Sequence, residues 1–528
     1  MAIRTSGIIS GLSASDFVNM KAKLADLQRQ LGSGLKSETY GGLGPDRGFS
    51  LAFRSSMSQM DSWQQSISLV MTRISIIDTS LTGIAKTVAS TKTSMQPNEF
   101  TLSSGRTIGQ VAAGDGLNAV VSMLNASDGT RYVFGGRKSA TPPVLDASVF
   151  LNGDNSKDGF KTALLQRMQA DLGVASATPE ADAAATGRVT LSATGVQPVT
   201  LAEDGTHAFG LKIGATSGAV DGIAVTSAAG PPASLSIAAG AGNASPGQSL
   251  TLSFSLPDGS TETITLTATE ADADVVAPHE FRVGATSAET LDNLRGALGD
   301  QLGKLVGGKL AAASAVQAGE DFFKGETNPA ALAGPPPVET GVAKRLVPGI
   351  SGTMADSVAF DTPQNAEART VRWYQGDRVS ANPRATASAE IDSAQSIYYG
   401  VRADEEALRT AVQYMAVASS LRFNASDPNG LARYQALTPR VVTGLSMESG
   451  GQTVQSIQIE IAAANTAADS AKTRHGDRRA MLGALLTDIE GADDNEVAVH
   501  IMALKTNLQA SYETSSMLSQ LTILNYMR

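Results

Sequence analysis

The residues able to do acid–base, nucleophilic or metal chemistry are sparse in this 528-residue chain. It has four histidines and no cysteine. His207, His279, His475 and His500 stand far apart, none within ligand spacing of another, so they read as packing or solvent-facing residues rather than a metal set. The absence of cysteine removes disulfides, thiolate ligands and thiol nucleophiles. The stretch NGDNSKDGF (152–160) sets Asp154, Ser156, Asp158 and Gly159 at calcium-loop spacing. Its twelfth position is Leu165, where a bidentate glutamate is needed, so an Asx turn is the expectation. GAGNASPG (240–247) opens no helix and reads as a turn, not a dinucleotide loop. Two acidic clusters, Asp493-Asp494 and Asp404-Glu405-Glu406, each begin a helical pattern, where the helix dipole favours carboxylates. Trp63 and Trp373 read as packing residues, Trp373 on a strand over 371–377. No serine, histidine and aspartate grouping and no paired catalytic carboxylates stand out. The expectation is a protein that is not an enzyme and has no cofactor and no metal.

Composition agrees. The net charge is −10 and the pI about 5.1, with no Lys/Arg-rich run, which argues against nucleic acid as a partner. No run of 18 consecutive apolar residues marks a membrane span, and MAIRTSGIISGLSASDF lacks the charged-then-apolar plan of a cleaved signal peptide.

What the sequence does carry is helical periodicity at both ends. Phe17, Met20, Leu24, Leu27 and Leu31 follow a 3-4 spacing that Gly32, Gly34 and the turn to Gly44-Pro45 interrupt. A second seam runs Phe53, Met57, Met60, Gln64, Ile67, Val70, Ile74, Ile77, Leu81, Ile84 and Val88. A helix over 50–95 would be roughly 65 Å long, more than a single globular core needs. In the last quarter, Val454, Ile457, Ile461, Ala464, Ala468, Ala471, His475, Arg478, Leu482, Leu485 and Ile489 hold one register. There His475 and Arg478 read either as a register device or polar contact between subunits, or as a place where the seam widens. After GADDN the pattern resumes at Val497, Ile501, Leu504 and Leu508, and it continues through Leu518, Leu521 and Leu524.

The middle differs. SLTLSFSLPDGSTETITLTAT (249–269) alternates Leu250, Leu252, Phe254 and Leu256 before Pro257-Asp258-Gly259, and Ile264, Leu266 and Ala268 after it, a hairpin pattern. Residues 287–306 read as an amphipathic helix with Ser287 as N-cap. PPP at 335–337 reads as a linker. The fold class expected is α+β: a long antiparallel helical bundle or coiled coil formed by the N- and C-terminal segments, 1–140 and 386–528, with a β-rich α+β outer insert at 141–385.

Four stretches resemble the bacterial flagellin family: LQRQLGSGLK (27–36), DGTRYVFGGRKSATPPV (128–144), SIYYGVRADEEALRTAVQYMA (396–416) and NEVAVHIMALKTNLQASYETSSMLSQLTILNYM (495–527). The "Tyr-x-Phe-Gly-Gly" exit and the "Leu-x-x-Leu-Asn-Tyr" end are most similar to the hook–filament junction (hook-associated) subgroup, and otherwise to filament flagellins. The turn LKSETYGGLGPDRG departs from the family's usual pattern. The resemblance implies a structural axial subunit of the flagellum, exported without a cleaved signal through the type III apparatus and extracellular. Its terminal segments would fold as coiled helices on assembly. The implied partners are further copies of itself, other axial proteins (hook-associated proteins and flagellin) and an export chaperone for the C-terminal helix, with no nucleic acid or membrane. The seam residues named above are then the assembly and packing contacts. A reading of another class is a secreted fibre or adhesin protein.

Overall fold

The computed structural model describes residues 4–97, 99–326, 341–447 and 450–526, with side chains from Ser15 to Met517. The proline run at 335–337 and the side chains of Leu518, Leu521 and Leu524 lie outside the described residues. The fold is mixed α+β. Its contacts divide it into two compact units: 1–70, 389–396 and 466–528 form the first, 71–388 and 397–465 the second. The composition-based boundaries near 140 and 385 both fall inside the second unit.

In the first unit, α1 (Arg4–Ser33) ends at Gly34, which takes φ +67 and donates its N–H to the Gln30 carbonyl at 2.8 Å. A 3₁₀ turn over Tyr40–Asp46 then leads into α2 (Arg47–Met95), a 49-residue helix that continues into the second unit. The helix α11 (Val454–Glu490) likewise runs through both units. After a short break, α12 (Asp494–Tyr526) begins where the Asp493 carboxylate accepts the N–H groups of Asn495 and Glu496. By length and composition, Tyr40–Met95 includes a window apolar enough to cross a bilayer, mean hydropathy 1.3. Its apolar residues fall on one stripe, and from Ile67 to Val88 that stripe is buried.

The second unit packs α3 (Ile108–Leu124) on α9 (Glu406–Ser420), with α4 (Ala147–Asn152), α5 (Phe160–Leu172), α7 (Ala311–Phe323) and α10 (Gly430–Ser446) around them. Thr107 and Gln110 form a reciprocal capping box at the start of α3. The Gln110 amide also donates to the Ala418 and Leu421 carbonyls, tying that cap to the end of α9. At Gly116 a Cβ would meet Thr91 Oγ1 at 2.6 Å and Met415 Sδ at 3.4 Å, so α2, α3 and α9 approach closely where α3 has no side chain. Phe150, Phe160, Phe322, Phe323 and Trp373 form an aromatic cluster, and the Trp373 indole donates to the Phe323 carbonyl at 3.0 Å. After the short helix α8 (Pro363–Arg369), residues 371–377 make a single bridge, Val144 to Tyr374, instead of the expected strand.

Two four-stranded sheets fill the middle of the chain. One, in the order β1 (Val189–Leu191), β2 (Val199–Glu203), β5 (Ser234–Ala239), β4 (Ile223–Ala228), is antiparallel. The other runs β3 (Lys212–Ala219), β6 (Ser249–Ser255), β7 (Thr261–Thr269), β8 (Glu280–Arg282), with only β8 parallel to its neighbour. The β6–β7 hairpin turns at the expected residues, and its register pairs Leu250 with Leu266 and Leu252 with Ile264, all buried. The following α6 (Ser287–Leu305) is capped by Thr286, whose hydroxyl accepts the Glu289 N–H at 3.2 Å. Ser287 Oγ instead donates to the Gly240 carbonyl, so the cap lies one residue earlier than the sequence suggested. A short hairpin, β9 (Ser388–Asp392) and β10 (Gln395–Tyr398), returns the chain toward α9.

Candidate assembly surface

In the first unit α1 and α12 run antiparallel. Near the turn, Leu35 bridges Gly491, the Lys36 N–H donates to the Glu490 carbonyl at 2.8 Å, and the Ala492 N–H donates to the Gly34 carbonyl at 2.9 Å. Farther along both helices, Phe17 meets Tyr512 edge-on, ring centroids 4.9 Å apart. The pair buries little. Leu27, Val497 and Leu508 are buried; Phe17, Met20, Leu24, Ile501 and Leu504 are only half-buried. Leu31 is exposed, and so are Val18, Val499, Met502 and Met517, each more than 60 % exposed apart from Leu31 at 44 %. Isolated exposed apolar residues are ordinary. A helix pair that seals one side and leaves large apolar side chains along the others has the pattern of an interface half made.

The long helices behave differently. Ile67, Val70, Ile74, Ile77, Leu81, Ile84 and Val88 are all buried, and the stripe goes on to Thr91 and Met95, where a threonine hid it in the sequence. On α11, Ile457, Ile461, Ala464, Ala468 and Ala471 are buried. Contacts within each unit set the two helices antiparallel. In the second unit, Gln458 donates to Asp78 Oδ1 and Thr82 Oγ1, each at 3.0 Å. In the first, Arg479 pairs with Asp61 at 2.6 Å and Arg54 with Glu490.

Past His475 the expected register slips. Leu482 is buried, Ile489 half-buried, and Leu485 and Arg478 are exposed, while Glu490 is buried. A straight α-helix drifts about 20° per heptad against a strict seven-residue repeat, so by the fifth heptad position 485 has turned out and 490 in. Glu490 enters because Ser50 Oγ donates to its Oε1 at 2.5 Å and the Arg54 guanidinium takes both oxygens, which holds its carboxyl below the usual range. His475 is buried inside one chain: its Nε2 lies 2.7 Å from the Ile391 carbonyl on β9, and its ring stacks on Trp63. The seam there widens to admit a hairpin.

The other singled-out residues are engaged in local structure. Asp154 Oδ1 accepts the Ser156 and Lys157 N–H groups, an Asx turn, and Asp158 pairs with the buried Arg345 at 2.8 Å. His207 Nδ1 accepts the Phe209 N–H, and its Nε2 lies 2.7 Å from both Asp204 Oδ1 and Arg188 Nη2. Burial, and then the Arg188 guanidinium, keep that imidazole below its ordinary pKa. His279 and His500 are exposed. Among the described residues, no group of three His, Cys, Asp or Glu is placed to hold a metal. In the Asp404-Glu405-Glu406 cluster, Glu405 is the N-cap residue of α9 and Glu406 lies in its first turn, as the sequence leads one to expect. Glu405 is buried, accepting from Arg384 and from the Gln452 amide. Burial pushes the Asp404 carboxyl up to about 6 despite Arg402 and Arg409 beside it.

The stretch 128–144 folds into a tight turn that exposes Arg131, Arg137 and Lys138 and buries Phe134 and Val144. Asp128 accepts the N–H groups of Thr130 and Arg131 and the Thr130 hydroxyl, and pairs with Arg73 at 2.6 Å. The Tyr132 N–H donates to the Ser139 carbonyl, and Gly135 bridges Arg402. Gly136 takes φ +60 with Asp377 Cβ against it, so a side chain there would be both strained and crowded. Nothing in the sequence alone marks this turn as a cleft wall, since Asp377 and Arg402, which meet it, lie far along the chain. No family model matches the chain, and no curated protein matches it in sequence.

Proposed function

We propose that the chain is a structural axial subunit of the bacterial flagellum that assembles through its terminal helices, at the hook–filament junction. The observation that carries this reading is the contrast between a sealed stripe on α2 and α11 and the exposed apolar side chains on α1 and α12. On this reading the long helices form the antiparallel coiled layer of each subunit, and the α1–α12 pairs of neighbouring subunits bury one another as an inner tube. The contact is heterologous, which generates an open helical array. The driving force is apolar burial, about 25 cal/mol per Å². The subunit is exported without a cleaved signal and works outside the cell, with an export chaperone covering the C-terminal helix beforehand. It has no catalytic role, and its partners are other axial proteins and its own copies.

The test is growth of the purified chain on filament and hook fragments, followed by electron microscopy, beside a variant lacking residues 518–528. Long growth from this protein alone places it in the filament, and a short collar at hook ends places it at the junction. A truncated chain that still incorporates, or a full chain that stays a discrete trimer, removes the reading.

A further inference from the structure

We propose that a cationic cleft in the second unit receives the acidic turn 488–496 of a second copy of this chain. The inference rests on the assembly reading and names one of its contacts.

The cleft measures about 340 Å³ and is lined by Arg73, Arg131, Tyr132, Arg137, Ser139 and Tyr399 among others. Its charge is compensated only in part. Arg73 is engaged by Asp128 and by the Tyr399 hydroxyl. Asp128 in turn is saturated by that guanidinium and by the donors of Thr130 and Arg131. Asp377, behind Gly136, accepts the Ser380 hydroxyl and the Val379 N–H. The guanidinium groups of Arg131 and Arg137 and the ammonium of Lys138 are exposed and have no partner among the described residues. Three free cations on one rigid turn are unusual for a chain of net charge −10. The turn is preorganised by the Gly135–Arg402 bridge and by the Ala403 N–H donating to the Phe134 carbonyl at 3.0 Å.

The complementary surface is the break between α11 and α12. It carries Asp488, Glu490, Asp493, Asp494 and Glu496. Glu490 is neutralised by Arg54 and Asp493 caps α12, while Lys36 Nζ donates to the Asp488 carbonyl at 2.7 Å. Among the described residues, the Asp488 and Asp494 carboxylates are exposed and unpaired, and Glu496 meets only His500, at 3.5 Å. This turn is pinned to 34–36 by the backbone bonds already described, so docking orders little on either side. The rival acidic segment, Glu270, Asp272 and Asp274, is held by one turn bond and an Arg282 contact. A contact between two different patches of one chain is heterologous, as an open array requires.

The test uses full-length chains in seeded growth. R131E/R137E and D488K/D494K are each expected to slow elongation by at least about tenfold, with unchanged thermal unfolding, and wild-type growth is expected to weaken with salt. The quadruple variant carrying all four reversals restores opposite charges and regains growth. Double variants that elongate like wild type overturn the proposal. So does a quadruple variant that stays inactive while R131E/R137E combined with D272K/D274K grows. If wild type does not elongate, the assembly reading fails by itself. The contact is then read by carbodiimide coupling of concentrated, mixed ¹⁴N and ¹⁵N chains: a mixed-isotope crosslink from Lys138 to Asp488, Asp494 or Glu496 supports it, and its absence overturns it.

Discussion

Trp63 and His475 stack between the two long helices of the first unit, ring centroids 5.1 Å apart and planes 28° from parallel, while His475 Nε2 reaches the Ile391 carbonyl at 2.7 Å. One imidazole thus joins α2, α11 and the β9 hairpin. Replacing it with leucine keeps most of the volume, orphans a buried carbonyl and removes the ring contact. The orphaned acceptor costs about 1–3 kcal/mol and the lost aromatic pair about 0.5–1.5 kcal/mol. His475→Leu is therefore expected to lower stability by about 2–4 kcal/mol in urea titration, and Trp63→Phe by less. Equal effects of the two would show that the carbonyl bond contributes nothing.

The sealed and unsealed apolar residues separate folding from assembly. Ile77 is buried in the α2 stripe, so Ile77→Ala is expected to cost about 2–5 kcal/mol of monomer stability. Met502 is 69 % exposed on α12, and Met502→Ser should change monomer stability by no more than about 0.5 kcal/mol. On the assembly reading, Met502→Ser should nevertheless depress seeded elongation strongly, because the side chain would be buried between copies. Urea midpoints and growth rates of the two variants check both halves.

The helices and the hairpin were legible because each repeats a period. The 3-4 stripe of α2 and the alternation of Leu250, Leu252 and Phe254 are signals that burial on one side produces. The register past His475 was not legible, because the helical drift is small per heptad and the deciding contact, Arg54 to Glu490, joins residues 436 apart. The same holds for the cleft beside Arg131 and Arg137, whose walls come from 73–77, 131–139 and 386–401. The cap of α6 was missed by one residue because threonine and serine stand side by side there, and either could cap. The burial of Glu405 is not legible in the sequence, because the arginine that engages it, Arg384, lies 21 residues earlier in a turn with no periodic signal.

Asp404 sets a pH dependence. Its carboxyl is raised by burial to about 6 in the fold, against about 3.9 in an unfolded chain. A raised carboxyl favours the protonated form of the folded state. Its contribution is therefore fully present below about pH 4 and is lost as pH rises through about 6. Two units of difference correspond to about 3 kcal/mol for this group, whose side chain is 15 % exposed. Arg402 Nε sits 3.0 Å from Asp404 Oδ1 without being aligned to donate, so the ion pair does not offset the burial. Asp404→Asn should flatten the stability profile between pH 4 and pH 7 relative to wild type. Parallel profiles for the two proteins would remove this assignment.

Arg345 tests how the second unit is held together. Its guanidinium is fully buried, and its Nη groups donate to Thr370 Oγ1 at 2.7 Å, Asp158 Oδ2 at 2.8 Å and Gln166 Oε1 at 2.8 Å. Burial lowers its pKa, opposed chiefly by Asp158. Removing one partner of a buried pair costs about 3–5 kcal/mol, because the other is stranded. Here the Asp158 carboxylate is 40 % exposed and regains water, which places Arg345→Met near the lower end, at about 3 kcal/mol. A lysine keeps the charge but cannot reach three acceptors in a fixed fork, so Arg345→Lys should recover only part of the loss. Calorimetric unfolding of the two variants decides the question: full recovery by lysine would mean that the charge, and not the fork, joins the 158–166 segment to Thr370.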